Sequence, residues 1–260
     1  MKSTNISIVI PHMPARAERL SEAVGSIRGQ VGDTGVQIIV GLDPGAELPS
    51  YLGYACETVV GGNQSAKINA GVELAHYRRV AILHDDDLWH PEFLVHALTA
   101  LEEVDFVSST ALDTDSDGRV MGVIDCPVPS GWVFKKTLFD KVGPWSEESR
   151  FHPDSEWLGR LGETEGVKRA HLIEAFAPEA RIKIGNDWRY NPLVQRPGMR
   201  MFLSQARPAP MLVRHGFAMP LINHRQLGDG IMQRINEPER WMASQWEYQR
   251  MTERFGHIPW

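Results

Sequence analysis

Short apolar runs alternate with amphipathic segments along the first hundred residues. The runs ISIVI (6–10), VQIIVGL (36–42), ETVV (57–60) and RVAIL (79–83) are rich in β-branched residues and lack polar alternation. Such runs predict strands buried on both faces of a parallel sheet. Between them, RAERLSEAVGSI and SAKINAGVELAHY carry helical spacing, with Ile68, Val72 and Ala75 on one face. Strand and helix in alternation predict an α/β domain built on a doubly wound, mostly parallel sheet flanked by helices. Ligands of such domains collect at the carboxyl ends of the strands. Asp43 and the run Asp85, Asp86, Asp87 both lie just past predicted strand ends.

The later pattern is less regular. Pro91 suits the first turn of a helix reaching about Glu102, with Phe93, Leu94, Ala97, Leu98 and Leu101 inward. The stretch DFVSSTALDTDSDGRVMGVID predicts two strands joined at an Asp-Gly turn. Its Asp113, Asp115, Asp117 and Gly118 match the first half of a calcium loop, but Ile124 stands where a bidentate Glu is required, so a hairpin is the better reading. Helices are predicted near Lys136–Val142 and over about Pro153 to Glu163, then an irregular Pro- and Arg-rich stretch over about 177–215. A C-terminal helix begins near NEPERW, with Asn236 as cap and Pro238 in the first turn. Its Trp241, Trp246, Tyr248, Met251 and Phe255 are expected to pack or to form a subunit contact. The expected organisation is one domain over 1–260: a ligand-binding half (1–105), a second half with a basic segment (106–235) and the C-terminal helix (236–260).

Composition adds two points. The net charge of −6 argues against general nucleic-acid binding, yet the stretch from Arg181 to Arg214 holds seven Lys/Arg against Asp187 alone. That stretch is +6, leaving −12 for the remainder, and a local basic segment reads either as a site for one anionic ligand or as a solvated loop. Cys56 and Cys126 are far apart, in no metal-binding spacing, and read as free thiols. No apolar run approaches membrane-spanning length and the N-terminal apolar stretch is too short for a signal peptide, so a soluble cytoplasmic protein is expected.

Taken in order, ISIVIPHMPARAERLSEAVGSI, IIVGLDPG, SAKINAGVELAHYRRVAILHDDDLWHPEFL and GWVFKKTLFDKVGPWSEESRFHPDSEWLGRL resemble family 2 glycosyltransferases with the GT-A fold, over about residues 5 to 165. The resemblance implies a nucleoside diphosphate sugar as donor, an acceptor hydroxyl, inversion at the transferred carbon, and a divalent cation, Mn²⁺ or Mg²⁺. It places Pro11, Asp43, Lys67, Asp85 and Asp86 at the donor, and Asp86 with Asp85 at the metal. His84 stands where the family usually has an Asp, and Leu42 where it has the first Asp of its Asp-Asp-Gly-Ser; Asp43 is also a natural turn residue before Pro44 and Gly45. Lys67 reads equally as a donor neighbour or as a helix-surface lysine. Late histidines of the family complete the metal site, which makes His215 and His224 candidates, with Arg214 and Arg225 beside them for the diphosphate. On the acceptor side the resemblance points to Trp132 and Glu156.

The chemistry accounts for the carboxylates. Loss of a diphosphate leaving group calls for a hard divalent cation, and carboxylate oxygens are its natural ligands. An inverting transfer also needs one carboxylate to take the acceptor's proton. In HPDSEWLGRL, helical spacing sets Trp157, Leu158 and Leu161 on one stripe with Asp154 at its middle, and Glu156 opposite, four residues before Arg160. Asp154 is therefore the expected base, with the helix dipole keeping it ionised, and Glu156 the expected partner of an exposed ion pair. A sugar nucleotidyltransferase is the competing enzyme class; it usually has a Gly-rich loop after the first strand, where this chain reads PHMPARAER. A catalytically silent nucleotide-sugar-binding protein of the same fold is the third reading.

Overall fold

The structure, a computed structural model, describes residues 5–115, 120–124, 127–172, 211–214, 221–225 and 237–255. Its main sheet contains β1 (Ile6–Pro11), β2 (Val36–Leu42), β3 (Glu57–Val60), β4 (Arg79–Ile82), β6 (Phe106–Ser109), β9 (Val133–Lys135), β10 (Arg169–Leu172) and β11 (Met211–Arg214). The order across the sheet is β11-β10-β6-β9-β4-β1-β2-β3. All pairings are parallel except those of β9 with β4 and β6. A smaller sheet of order β5-β12-β7-β8 is formed by β5 (Leu88–Trp89), β7 (Ala111–Thr114), β8 (Val120–Ile124) and β12 (Ile222–Arg225).

The apolar runs of β1, β2 and β4 become strands covered on both faces of the sheet, whereas β3, expected to be buried likewise, lies at the sheet edge and is largely exposed. Ile6, Ile8 and Ile10 of β1 join Leu20, Ala23, Val24 and Ile27 of α1 (Ala17–Arg28) and the apolar side of α3 (Phe93–Leu101) in one core cluster. Val9, on the other face, joins Ile68 and Val72 of α2 (Gln64–Leu74) with Trp132, Trp145 and Trp157. Each fully buried aliphatic side chain of this kind stabilises the fold by about 1.5–3 kcal/mol. Two glycines set how closely α2 lies on the sheet. A Cβ on Gly71 would come within 2.4 Å of Val9 Cγ1, and one on Gly41 within 2.5 Å of Lys67 Cβ. The second contact brings the Lys67 stem down against the end of β2.

Expectation and structure agree on α4 (Lys136–Val142), α5 (Pro153–Glu163) and the C-terminal helix α6 (Pro238–Phe255). They differ elsewhere. α3 starts at Phe93, and Pro91 lies in the turn ahead of it. The stretch read as two strands makes three: β6 stays in the main sheet, the chain leaves it at buried Thr110, and β7 pairs antiparallel with β8. The connecting Asp117 and Gly118 lie outside the described residues. Within the stretch read as irregular, Met211–Arg214 forms an edge strand parallel to β10. Trp132, expected toward the acceptor, is fully buried; its ring is 5.5 Å from that of Trp157 and 5.4 Å from that of Trp145, and Nε1 donates to Pro127 O. It is a core residue. The segment 173–210, with most of the basic stretch, together with His215, Asn236, Cys126 and the side chain of Trp241, lies outside the described residues. Among the described residues no helix is long and apolar enough to cross a membrane.

Candidate active site

β1 and β2 form one side of the main sheet and β4 begins the other, because the chain runs outward to β3 and returns through α2 on the opposite face. The carboxyl ends of β4, β1 and β2 therefore flank the point where the winding reverses, the usual place for a ligand in an open α/β sheet. A cavity of about 250 Å³ opens there, lined by Pro11, Met13, Arg16, Asp43, Asn63, Gln64, Lys67, His84 and Asp85. Four of the five donor residues expected from the sequence line it. Lys67 is not a surface lysine. It is 4% exposed, and its Nζ donates to His12 O at 2.7 Å and pairs with Asp43 Oδ1 at 2.6 Å.

The three consecutive aspartates have three different environments. Asp85 accepts hydrogen bonds from Met13 N (2.7 Å) and Arg16 Nη1 (3.2 Å), and His12 Nδ1 lies 2.8 Å from its Oδ2. Burial opposes its charge, but these donors and the Arg16 charge bring its pKa below the ordinary value. Both oxygens of Asp85 are thus committed to the turn after β1. Among the described residues Asp86 makes one ion pair, 2.6 Å from Oδ2 to Arg16 Nη1. Burial first, and then the Asp87 charge, raise its pKa, while His84 and Arg16 act in the opposite direction. Asp87 is fully buried and accepts from Ser130 Oγ, from Arg225 N at 3.0 Å, and from His224 Nδ1, 3.0 Å from each oxygen. Despite complete burial its pKa is lowered by the His224 charge and hydrogen bond, by the His84 charge and by Ser130.

His224 is brought to the cluster by β12, but as the partner of Asp87. Burial would lower its pKa; the Asp87 charge and hydrogen bond, with the charges of Asp113 and Asp86, push it up to about 9. The His224 imidazole faces Asp87, and the pair fastens β12 to the aspartate turn. Arg225, a candidate for gripping a diphosphate, is buried: Nε donates to Asp86 O and Nη1 pairs with Glu22. Ser130, in the 3-10 turn Pro129–Gly131, also accepts from His84 N at 3.1 Å.

A ring nitrogen of His84 and one carboxylate oxygen each from Asp86 and Asp87 lie within 4.8 Å of one another. An imidazole and two carboxylates form a donor set that fits a divalent cation. The opposing fields on Asp86 point the same way, since two adjacent buried carboxylates are best charged together beside a cation.

Asp154 and Glu156 do not line the cavity. Asp154 lies in the first turn of α5, half-buried, and its carboxylate has no hydrogen bond or ion pair among the described residues. Glu156 departs from expectation. Its side chain is only 14% exposed, bridged by Arg160 at 2.9 Å and by Arg254 of α6 at 3.2 Å. The face of α5 that helical spacing turns to solvent is covered by α6, and Phe255 packs so closely on Gly159 that a Cβ there would meet its ring at 2.4 Å.

His12, Arg16, Asn63, Gln64 and Ser130 were not singled out from the sequence. For His12 and Arg16 there was a signal, a basic pair in the turn directly after a buried strand. Ser130 had none; its partner is forty-three residues away.

No protein-family model matches the sequence, and no curated protein does. Solved structures do resemble it. The mannosyltransferase PcManGT from Pyrobaculum calidifontis, in complex with GDP-Man and Mn²⁺, aligns over 63% of this chain at 15% identity with a TM-score of 0.50. TarS of S. aureus aligns over 60% at 14% identity and TM-score 0.49, and its residues 1–349 with UDP-GlcNAc over 60% at 16% and 0.48. This chain spans 33% of TarS and 53% of each of the other two. The fold is of the GT-A type, an α/β sheet that carries its site at the strand ends.

Proposed function

We propose that the protein is a metal-assisted, inverting glycosyltransferase that moves a sugar from a nucleoside diphosphate sugar to an acceptor hydroxyl. One observation carries the reading: Asp43, Lys67 and Arg16 line a single cavity at the ends of three adjacent strands, with the His84, Asp86 and Asp87 donor set at the same strand ends. The known complexes of structural neighbours, GDP-Man with Mn²⁺ and UDP-GlcNAc, are of the same ligand class.

In this reading Asp43 receives a donor N–H of the base, and Lys67 and Arg16 bring positive charge toward the diphosphate. His84 and Asp86 would hold the cation, with Asp87 behind them. When bound, the ion neutralises the charge that develops on the departing diphosphate. Asp154 accepts the proton of the acceptor hydroxyl as that oxygen bonds to the anomeric carbon. The bond from that carbon to the diphosphate oxygen breaks on the opposite side, and the nucleoside diphosphate leaves. A carboxylate in the first turn of α5, with no hydrogen bond or ion pair among the described residues, suits this task.

The test is incubation of the protein with Mn²⁺ and a panel of UDP-, GDP- and dTDP-sugars, followed by NMR. Slow hydrolysis of one donor, absent with EDTA, is the expected result. No binding or turnover of any nucleotide sugar would overturn the reading.

A further inference from the structure

The C-terminal helix α6 has two apolar faces, and the body of the protein covers one of them. Tyr248, Met251 and Phe255 are buried and form a core cluster of their own. On the other side Trp246 is 63% exposed and Met242 45%, with exposed Ala243 beside them. Helical spacing sets Glu239, Met242, Ala243, Trp246, Arg250 and Glu253 on one outward stripe about 100° wide.

The charges on this stripe flank its apolar centre. Glu239 lies in the first turn of α6, ahead of Met242, and Arg250 lies one turn past Trp246. Neither has a hydrogen bond or ion pair among the described residues, whereas their neighbours do: Arg240 pairs with Glu237 at 3.0 Å, and Glu253 accepts from Gln249 at 2.9 Å. An acid before the apolar group and a base after it make the stripe complementary to its own reverse. In an antiparallel pair related by a two-fold axis, Glu239 facing Arg250 of a second copy places Arg250 against that copy's Glu239 as well. The same register lays Trp246 over the second copy's Ala243, large side chain against small, at both ends of the axis. Glu253 then falls past the start of the opposing helix. A parallel pair would instead stack like charges.

We propose that the outer face of α6 is the contact between two copies of this chain, packed as an antiparallel helix pair with Trp246 and Ala243 at its centre and Glu239–Arg250 ion pairs on either side. A membrane surface fits the stripe less well. Two acids stand on it against one base, the whole chain carries −6, and anionic headgroups repel that charge. The contact is small: two tryptophans and two methionines with their flanking turns stay under the roughly 1,200 Å² of a standard interface, so the pair forms in the micromolar range. The proposal does not rest on the glycosyltransferase reading.

The whole protein is followed by sedimentation velocity from about 1 to about 300 μM, which spans that range. The weight-average mass should rise with concentration from 29.2 kDa toward twice that value. Trp246→Glu should stay monomeric throughout, with unchanged circular dichroism and thermal melt, because the side chain lies on the surface. Charge reversal tests the geometry, and carries the test alone should Trp246→Glu fail to fold. Glu239→Arg and Arg250→Glu each turn two attractive contacts per dimer into repulsive ones, so each should raise the dimer Kd at least about fivefold at low salt. The chain with both reversals restores the pairs and should recover most of that loss. A monomer at every concentration overturns the proposal, and one that floats with vesicles of anionic lipid would give the face to a membrane. A dimer that survives Trp246→Glu unweakened lies on another surface and overturns it too. Failure of the double reversal to recover affinity would refute the antiparallel pair.

Discussion

Glu247, in α6, provides the sharpest test of how the C-terminal helix is tied to the rest of the protein. Its carboxylate accepts from Ser149 Oγ at 2.6 Å and from the backbone N–H groups of Arg150, Phe151 and His152 at 3.0 Å each. These residues lead into α5, which has no side-chain cap of its own and begins with Pro153. A carboxylate from a distant helix therefore does the work of an N-cap. Losing a cap costs about 0.5–2 kcal/mol, and a charge at a helix N-terminus adds about 0.3–1 kcal/mol. Partial solvent access keeps the sum near 2 kcal/mol for Glu247→Ala, a fall of roughly 4–8 °C in Tm for a chain of this size. Glu247→Gln keeps an acceptor oxygen and should lose about half as much. The pH dependence separates charge from packing. Burial would raise the Glu247 pKa, but Ser149 and the three N–H groups hold it below the ordinary 4.5. A lowered folded pKa gives stability that is present above the unfolded value and is lost as pH falls through the folded one. Denaturant midpoints of wild type and Glu247→Gln should therefore differ at pH 7 and draw together as pH falls below the ordinary 4.5. Hydrogen exchange in Glu247→Ala should accelerate first at residues 150–152. Equal stability of wild type and Glu247→Gln at pH 7, or a constant difference down to pH 3, would refute the electrostatic cap.

Asp154→Asn should abolish transfer while sparing donor binding, since a general base contributes about 10²–10⁴-fold to rate. Glu156→Gln should leave turnover intact and cost about 0.5–1 kcal/mol of stability through Arg160 and Arg254; an inactive Glu156→Gln beside an active Asp154→Asn would reverse the roles. Calorimetry with UDP and GDP should show binding with Mn²⁺ that weakens in EDTA, and equal affinity in both would mean that the aspartates hold no ion for the nucleotide. The His224–Asp87 pair gives a second pH signature: a pKa raised from 6.5 to about 9 stabilises the fold fully below 6.5, and the stability is lost as pH rises through 9. In EDTA, wild-type stability should fall between those limits and His224→Gln should not; parallel curves would show that the imidazolium pair contributes nothing.

Much of the fold was legible because it rests on local pattern. The runs at β1, β2 and β4 are apolar without alternation, and a sheet covered on both faces is the structure that satisfies them. α4 and α5 carry their boundaries in their own residues, Gly143 at one end and Pro153 at the other. β12 was not legible. The four residues Ile-Asn-His-Arg have no strand pattern, and they become a strand through pairing with β5 and β7, whose partners are more than a hundred residues away. The burial of Glu156 was hidden for the same reason. Helical spacing gives the direction of a side chain, and only the docking of α6 on Gly159 says what lies there.

The run Asp85, Asp86, Asp87 shows how far residue type alone can lead. Three like charges in sequence look like a single ligand cluster. Past the end of β4, however, successive side chains diverge, and each meets a different neighbour. Asp85 turns to the segment after β1 and fixes Met13 and Arg16. Asp87 turns to the smaller sheet and fixes β12. Asp86 stands between the two with a raised pKa and, among the described residues, Arg16 as its one ion-pair partner. The outer carboxylates are stabilised by the protein and hold the strand ends in place. The middle one is left short of compensating charge, and a divalent ion beside His84 would supply it. Repulsion in the run is thus offset at its flanks by structure, and is least compensated at Asp86.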